Sequence, residues 1–544
     1  MKKILHYLKP WLATMSFGLL IKCIGTIIEL VLPWILAHMI DDIVPTGRVS
    51  VIYLWGGVML VCSAIALVSN IWANRSASRV ASNAVRSIRH DLFARVSFLS
   101  CRQMDQLTIP SAISRLTSDS YNIHRMLSMM QRLGVRAPIL LIGGVTIAMA
   151  LDAKLCMVLL ATLPLIVLVI LFISHKSAPL YVQLQQAVDQ LVRSVRDNMT
   201  GIRVIKALSK TNYEKQQFQK VNQQLVSREK RAGLTIATTN PLMNLLLNAG
   251  LTGVIVVGAY LVNAGQTETG KIIAFLSYFT IILNAMLSIN RMFVLYSQAR
   301  ASAVRISEVL ETPEDLSVLQ DSAQPEEAHV HFDHVSFSYY GRQNNLTDID
   351  FTLYAGQTLG IMGATGSGKS TLLQLLLRFY DASEGTIRIH GRDIHSLPLQ
   401  ELRERFGVVF QSDTLFSDTV AENIAFGRKL THEQIVFAAK CAQAFDFIES
   451  LPDGFAFRLT ARGSNLSGGQ KQRLLIARAL AGNPEILLLD DSSSALDYQT
   501  DARLRQALRQ YFPRTTTIIV AQRISAVRHA DHILVLDEGK PIGY

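Results

Sequence analysis

The chain has 544 residues, of which 49% are hydrophobic and 17% charged, and its formal net charge is +11. Soluble domains are typically about 25% charged, so this composition excludes an ordinary soluble enzyme, and the hydrophobic content excludes a disordered chain. The length corresponds to roughly three or four domains. The positive charge fits either a nucleic-acid-binding surface or a membrane protein with basic cytoplasmic loops.

The surplus of basic residues is confined to the first part of the chain. Residues 1–325 carry 31 Lys and Arg against 17 Asp and Glu, a net charge of +14, whereas residues 326–544 carry 22 against 25. Because the surplus lies where the long apolar segments are, we expect it to report orientation in a membrane. We therefore predict a lipid bilayer as partner and no nucleic acid.

Six apolar segments match the length of a membrane-crossing helix, which needs ~20 residues. We predict an all-α six-helix transmembrane domain at residues 1–310, with helices at about 11–40, 51–73, 133–150, 155–174, 243–263 and 272–295. Residues 311–325 are expected to form a linker to a second domain at 326–544. In the first helix, Lys22 and Glu29 lie on one face, two turns apart, and are placed to pair.

The links between these segments alternate in length and in charge. Three short links (41–50, 151–154 and 264–271) hold three Lys and Arg residues together, whereas link 74–132 holds nine and link 175–242 holds eleven. The positive-inside rule places both long links, both termini and the second domain in the cytoplasm. We therefore predict a multi-pass protein of the cytoplasmic membrane, from a bacterium.

Both long links are predicted to be helical stalks that reach ~40 Å from the membrane at ~1.5 Å per residue. In the first link, Pro110 breaks the helix, and Ser111 is a plausible N-cap for a short helix over Ser111–Asp119. In the second link, Thr211 and Asn212 are expected to cap a similar short helix over Tyr213–Phe218. The stalks act either as solvated extensions or as a mechanical connection to the second domain.

The second domain contains a glycine-rich motif between a predicted strand and a predicted helix. The strand Thr358–Met362 leads into Gly363, Gly366 and Gly368, which are followed by Lys369, Ser370, Thr371 and a helical run. Glycines in this pattern let backbone N–H groups surround phosphates, the Lys reaches the β- and γ-phosphates, and the Ser ligates Mg²⁺. The motif predicts a site that binds nucleotide phosphates.

Two further motifs follow in the second domain. The apolar run Ile486–Leu489 predicts a buried strand that delivers Asp490 to the same Mg²⁺. Ser467, Gly468, Gly469 and Gln470 precede a helical run and form either a second anion-binding helix start or a flexible turn.

At this point the residues match a family. The second domain resembles the α/β P-loop ATPase domain of ABC transporters, and the whole chain resembles an exporter-type half-transporter, with a membrane domain fused to one ATPase domain. The match spans essentially all 544 residues. Relative to the family pattern, Tyr544 lies a few short helices before the usual end of the chain.

The resemblance assigns roles to individual residues and implies ATP and Mg²⁺ as cofactors. Tyr339 matches the aromatic residue that stacks on adenine, and Gln411 matches the Q-loop glutamine, which senses Mg²⁺ and the attacking water. Residues 466–470 match the signature motif, and Ser494–Asp497 match the D-loop. In this family two ATPase domains enclose two ATP molecules, each held by the glycine-rich loop of one domain and the signature of the other. The stalk links resemble the family's coupling helices, near Ile109–Thr117 and Asn212–Phe218.

Two positions depart from the family pattern in the same site. The family has a general-base Glu directly after the Mg²⁺-binding Asp, and here that residue is Asp491; the family's switch His is replaced by Gln522. A carboxylate withdrawn by ~1.5 Å polarises water poorly, and Gln carries neither a proton nor a charge. The signature, by contrast, is intact. We therefore predict a weakly active or inactive ATP site in this chain, and a partner half-transporter that carries the Glu and the His.

The expected substrate is a hydrophobic or drug-like compound, and this expectation rests on the family resemblance. The open alternatives are an importer of metal–siderophore complexes, a lipid or peptide exporter of the same fold, and an ATP-gated channel or regulatory subunit. A soluble ATPase is excluded by the six apolar segments.

Overall fold

The protein was analysed as a computed structural model, which describes residues 1–319, 327–339, 341, 343–492 and 495–544. These residues form two compact units. One comprises residues 1–97 and 110–312, and the other comprises 98–109 and 313–544. Residues 320–325 of the expected linker lie outside the described residues.

The first unit is entirely helical. In chain order, the helices up to residue 312 are α1 (Lys2–His6), α2 (Leu12–His38), α3 (Val49–Phe98), α4 (Cys101–Leu107), α5 (Ile109–Ser114), α6 (Ser120–Leu151), α7 (Ala153–Thr200), α8 (Ile202–Ala207), α9 (Thr211–Ala237), α10 (Thr239–Asn263) and α11 (Thr269–Glu311). Among the described residues, six helical stretches are long and apolar enough to cross a membrane: Lys3–Thr46, Val49–Phe98, Ile109–Leu151, Ala153–Thr200, Pro241–Asn263 and Thr269–Glu311. The predicted number of six is confirmed. Because α3, α7 and α11 continue without a break beyond their apolar part, the stalks are extensions of the membrane helices themselves.

The short helices of the two long links lie elsewhere than predicted. In the first link, the predicted segment Ser111–Asp119 is helical, but it runs on into α6 within one stretch, Ile109–Leu151. The separate short helix is α4, which begins at a capping box between Ser100 and Gln103 and ends at Thr108, whose φ is +63°. Pro110 lies in the first turn of α5, where a missing N–H costs no hydrogen bond. In the second link, the short helix is α8, and Thr211 begins the 27-residue helix α9 instead of a short one.

The charges of the membrane segments pair between helices. Lys22 and Glu29 do not pair: the Lys22 Nζ donates to Asn70 Oδ1 at 2.6 Å, and Arg136 Nη2 donates to Glu29 Oε1 at 2.6 Å. Seven residues of helix span ~10 Å, so partners on the neighbouring helices α3 and α6 are nearer than the second charge on α2.

The first link is also fixed to the end of α11 within the first unit. Asp119, which is buried, accepts hydrogen bonds from Ser302 Oγ and Arg305 Nε, each at 2.8 Å. A buried carboxylate needs such partners, and this one joins the stalk of α6 to the stalk of α11.

The second unit contains two sheets and the remaining helices. Its strands are β1 (Val330–Phe337), β2 (Leu346–Leu353), β3 (Thr358–Gly363), β4 (Glu384–Ile389), β5 (Arg392–Asp393), β6 (Phe406–Val409), β7 (Ile486–Asp490), β8 (Thr516–Val520), β9 (His532–Asp537) and β10 (Lys540–Gly543). Its helices are α12 (Lys369–Leu376), α13 (Leu399–Glu404), α14 (Val420–Ala425), α15 (His432–Cys441), α16 (Phe445–Glu449), α17 (Gly468–Leu480), α18 (Tyr498–Tyr511) and α19 (Ile524–Val527).

The larger sheet has the order β10-β9-β3-β8-β7-β6, and all its pairs except β9–β10 are parallel. All five residues of β7 are buried, as expected for a parallel strand covered on both faces. The smaller sheet, β2-β1-β4-β5, is antiparallel. The predicted α/β ATPase fold is confirmed.

Residues 98–109 belong to the second unit through polar contacts of α4. Tyr380 donates its hydroxyl hydrogen to Asp105 at 2.7 Å, Ser100 donates to Asp315 at 2.7 Å, and the Gln103 side chain donates to the Pro313 carbonyl at 2.7 Å. The ATPase unit therefore includes a helix from the first long link.

A buried ion cluster stabilises the start of the second unit. Arg378, which is 1% exposed, donates to Asp381 and to the Ser317 carbonyl, and Asp381 also contacts His395. The hydrogen bonds of His395 to Asp381 and Asp393 raise its pKa to about 9.

This cluster predicts that the free energy of unfolding decreases as the pH rises from about 6.5 to about 9. Because the pKa of His395 is higher in the folded state than its ordinary value of 6.5, the stabilisation is complete below about pH 6.5 and is lost as the pH rises through about 9. We expect at most ~3 kcal/mol from this residue. The thermal unfolding of the purified chain should show this slope, and His395→Gln should flatten it; an unchanged slope in that variant would assign it to another group.

Candidate nucleotide-binding site

The carboxyl ends of three neighbouring parallel strands carry the predicted site residues. β3 ends at Gly363, β7 ends at Asp490 beside Val520 of β8, and Gln522 follows β8 by two residues. In open parallel sheets, ligands bind at this edge. The structure therefore brings together, from distant parts of the chain, the residues that the sequence motifs had singled out.

The glycine-rich loop connects β3 to α12 and needs glycine for two different reasons. A Cβ on Gly363 would lie 2.2 Å from the Leu536 carbonyl oxygen, and a Cβ on Gly368 would lie 2.6 Å from Leu346 Cδ2. Gly366 has open space around it but has φ of +87°, and Gly368 has φ of +95°. Only glycine adopts such angles without strain, so the loop forms a cradle that other residues would fill or distort.

Lys369 is the first residue of α12 and lies over the loop. Its Nζ donates to the carbonyl oxygens of Gly363 and Ala364 at 3.0 and 2.7 Å. The ammonium group is thus held at the mouth of the cradle, where it adds to the positive end of the helix.

Ser370 and Asp490 form the donor set for a metal ion. Asp490 is 5% exposed and is hydrogen-bonded to the Ser370 side chain, and burial raises its pKa. A hydroxyl and a carboxylate are oxygen ligands of the kind that Mg²⁺ prefers. These residues fit the ion that the motif predicts.

Asp491 and Gln522, the two departures from the family pattern, touch each other. Gln522 Nε2 donates to Asp491 Oδ2 at 3.3 Å. Burial raises the pKa of Asp491, while the positive charges of Arg523 and Lys369 oppose that shift. Its backbone has φ of +49°, and its N–H donates to the Val520 carbonyl at 2.9 Å. This strained conformation, which is uncommon for a non-glycine residue, fixes the direction of the Asp491 side chain.

A cavity of about 190 Å³ joins these groups. Its lining residues come from the loop, α12 and the strand ends: Asn345, Thr365, Gly366, Gly368, Lys369, Ser370, Thr371, Gln411, Asp490, Asp491, Val520 and Gln522. Gln411 is exposed and follows β6 by two residues. Of this set, Asn345 was not singled out from the sequence, because it precedes β2 in a loop without a motif.

Tyr339 lies beside α12 and does not line that cavity. Its hydroxyl is 2.7 Å from Gln374 Oε1 and 3.2 Å from Thr371 Oγ1. Its ring makes edge contacts with Phe337 and Tyr380, with centroids 4.8 and 5.0 Å apart. It faces a second cavity of about 680 Å³ in the same unit. Stacking on adenine stays a prediction.

The signature residues start a helix away from the cavity. Ser467 caps α17 through a reciprocal pair: its hydroxyl accepts from the Gln470 N–H, and its own N–H donates to Gln470 Oε1 at 2.9 Å. Gly468 is exposed and Gly469 is partly buried. A Cβ on Gly468 would meet nothing within 4 Å. Of the two interpretations left open, the structure supports an ordered helix start over a flexible turn.

The D-loop is described in part. Asp497 caps α18 by accepting from the N–H groups of Gln499 and Thr500 at 3.1 and 2.9 Å. Ser494 lies outside the described residues. The role of Asp497 in nucleotide binding stays a prediction.

Comparison with known families defines the class of protein. The family model described as ABC transporter transmembrane region matches residues 15–286, and the model described as ABC transporter matches residues 346–494. The chain belongs to the ABC transporter family, with a membrane domain fused to an ATPase domain.

Several bacterial relatives match along the whole chain. An ABC transporter ATP-binding protein of Bacillus subtilis (strain 168), YfiB, is 35% identical over all of this chain and 95% of its own length. Rv1273c of Mycobacterium tuberculosis (strain ATCC 25618 / H37Rv), also an ABC transporter ATP-binding protein, is 33% identical over 99% of this chain and 94% of its own length. Among solved structures, a bacterial Atm1-family ABC exporter with ATP bound is similar, with a TM-score of 0.84, 25% identity and coverage of 98% of this chain and 95% of that chain.

Proposed function

We propose that this chain is one half of a heterodimeric, ATP-driven exporter, and that it supplies the weaker of two ATP sites. The observation that carries the proposal is the pair Asp491 and Gln522 at the cavity, beside an otherwise complete loop and Asp490. ATP and Mg²⁺ are the cofactors, with the ion held by Ser370 and Asp490 and approached by Gln411. When bound, Mg²⁺ neutralises charge on the phosphates.

The weakness of the site follows from the reach of two side chains. An Asp in place of Glu shortens the arm by one methylene, and a displacement of ~1 Å at a reacting group costs ~100-fold in rate. The amide of Gln522 donates one of its two N–H hydrogens to Asp491 Oδ2, which leaves a single amide hydrogen for a phosphate oxygen. Since Gln has no titratable proton, it can hold a phosphate oxygen but cannot exchange a proton there.

The intact signature gives the chain its second role. Ser467, Gly468, Gly469 and Gln470 lie at an ordered, exposed helix start and do not line this chain's own cavity. We infer that they complete the catalytic site of a partner half-transporter that carries Glu and His at the two altered positions. The backbone N–H groups and the positive end of α17 suit a phosphate.

The proposed substrate class rests on the family, whereas the proposed orientation in the membrane rests on the charge of the first unit. We propose export of hydrophobic or drug-like small molecules across the cytoplasmic membrane, with both termini and the ATPase unit in the cytoplasm. The support for this orientation is the charge asymmetry of the links, twenty Lys and Arg residues against three. Efflux from cells, measured as uptake into inverted vesicles, tests the direction; ATP-dependent movement out of such vesicles would favour an importer.

The test of the heterodimer is the ATP turnover of this chain purified alone. We expect slow turnover, since every site in a homodimer would have Asp491 as base, together with binding of ATP that depends on Lys369. Vigorous turnover by the isolated chain would overturn the proposal. Fast turnover only after co-expression with a second half-transporter would support it.

A further inference from the structure

Three potential metal ligands converge in the ATPase unit, away from every residue of the nucleotide cavity. His329 directly precedes β1, His390 lies in the turn between β4 and β5, and Glu485 directly precedes β7. One ligand atom of each lies within 4.8 Å of the other two. The segments come from both sheets, so the cluster is a meeting point of the two layers.

His329 presents a buried nitrogen without a hydrogen-bond partner. The residue is 3% exposed, and its Nε2 is buried and unpaired. Buried polar atoms are nearly always satisfied, and an orphaned imidazole nitrogen costs free energy unless something binds it. This atom therefore indicates a missing partner.

The other nitrogen of His329 fixes the tautomer. Nδ1 lies 2.6 Å from Thr516 Oγ1. That hydroxyl donates its one hydrogen to the Tyr354 carbonyl and accepts from the Gly356 N–H, each at 3.2 Å. The tautomer that satisfies all three contacts has the proton on Nδ1 and leaves the lone pair on Nε2. Metal-binding histidines are oriented in this way, by a hydrogen bond from the nitrogen that does not bind the metal.

The protonation state also suits a metal. Burial and the nearby His390 ring lower the pKa of His329 to about 4, so the ring is neutral at neutral pH. A cation would otherwise have to displace a proton from it.

The two remaining ligands are free to adjust. The side chains of His390 and Glu485 are about half exposed, and His390 Nε2 is 3.3 Å from Glu485 Oε2. Arg405 also contacts Glu485, at 3.5 Å, and is the local competitor for the carboxylate. Tetrahedral metal–ligand bonds of ~2.0–2.2 Å set ligand atoms about 3.3–3.6 Å apart, a separation that His390 Nε2 and Glu485 Oε2 already have. Small rotations of these two exposed side chains would bring them into position with His329 Nε2.

We propose that His329 Nε2, His390 and Glu485 bind a zinc ion, which links the antiparallel sheet to the parallel sheet of the ATPase unit. Two imidazoles and one carboxylate are a ligand set that zinc accepts, with water as the fourth ligand. The ion replaces the missing hydrogen-bond partner of His329 and holds together three segments that are far apart in the chain.

The experiment uses the full-length chain in detergent, without a histidine tag and with Mg²⁺ present. Zinc is added in molar excess, the unbound zinc is removed by dialysis, and the zinc that stays bound is measured per chain. Cobalt is then substituted for zinc, and the absorption spectrum is recorded. We expect one zinc per chain, a cobalt spectrum without thiolate charge transfer, and a higher temperature of unfolding with zinc.

The variants are His390→Asn and Glu485→Gln, with His334→Asn as the matched control. His390 has φ of +50° and His334 has φ of +48°, and Asn tolerates this conformation. His334 is also bound to a carboxylate, that of Asp348 at 2.6 Å, so the control changes the same type of contact. Loss of zinc affinity by ~10-fold or more in a ligand variant, with the control unchanged, supports the site. The proposal is overturned if the wild type takes up no zinc, if both ligand variants retain it, or if the control loses it as well.

Discussion

Replacing Asp491 by Glu and Gln522 by His together should raise the ATP turnover of the purified chain by ~100-fold or more. The first change returns the carboxylate to the reach of a water at the cavity, and the second provides an imidazole that both donates a hydrogen bond and carries charge. The left-handed conformation of Asp491 and its N–H bond to Val520 orient the side chain at this position, and Glu adopts that conformation at a somewhat higher cost than Asp. Steady-state phosphate release measures the effect.

The two single variants, Asp491→Glu and Gln522→His, show how much of the increase in ATP turnover comes from each position. We expect Asp491→Glu to account for most of it, because proton abstraction by the base is the larger of the two contributions. In the doubly restored chain, Lys369→Ala should return turnover to the starting value, which locates the activity in this chain's own site. If the restored chain stays as slow as the original while still binding ATP, the weakness has another cause.

In the complete transporter, a negative charge introduced at the signature should lower ATP turnover far more than removal of the Gln522 side chain. If the proposed heterodimer is correct, Gly468→Asp should lower ATP turnover by at least ~100-fold, because it sets a carboxylate where the proposal places a phosphate of the partner's ATP. Gln522→Ala should change turnover by less than about twofold, since its site contributes little to turnover. Turnover of the two variants in co-purified heterodimers provides the comparison.

The structure separates this effect from misfolding. A Cβ on Gly468 meets no atom within 4 Å, and an acidic residue in the first turn of a helix is favourable for the helix itself. Gly468→Ala is the matched control: it fills the same space without charge and should cost much less. Equal losses for the Gly468→Asp and Gln522→Ala variants would mean that both ATP sites contribute alike, contrary to the proposed asymmetry.

The nucleotide cavity was largely predictable because its residues sit at fixed offsets from buried strands. Gly363, Asp490 and Gln522 each follow an apolar run, and parallel strands place their carboxyl ends on one edge. Asn345 could not be predicted, since it reaches the cavity from a loop whose path depends on the packing of β2 and β3. The unpaired Nε2 of His329 could not be predicted from the sequence either, because the burial of a single atom depends on the tertiary structure.

The stalk tips show where the sequence interpretation failed and why. The sequence predicts a break at Pro110, yet proline is well tolerated in the first turn of a helix, and the break lies at Thr108. The better signal was Ser100 followed three residues later by Gln103, which forms the capping box of α4. The prediction that Lys22 and Glu29 pair was wrong for a different reason. Their spacing places both on one face of the helix but does not determine which residues of neighbouring helices they contact.

Residues 98–109 give the ATPase unit an unusual connectivity. The chain passes between the two units three times, after residues 97, 109 and 312, where a simple fusion would need one passage. A fragment cut at residue 313 would therefore lose the Asp105 partner of Tyr380 and the Ser100 partner of Asp315, and its behaviour would differ from that of the same residues in the intact protein.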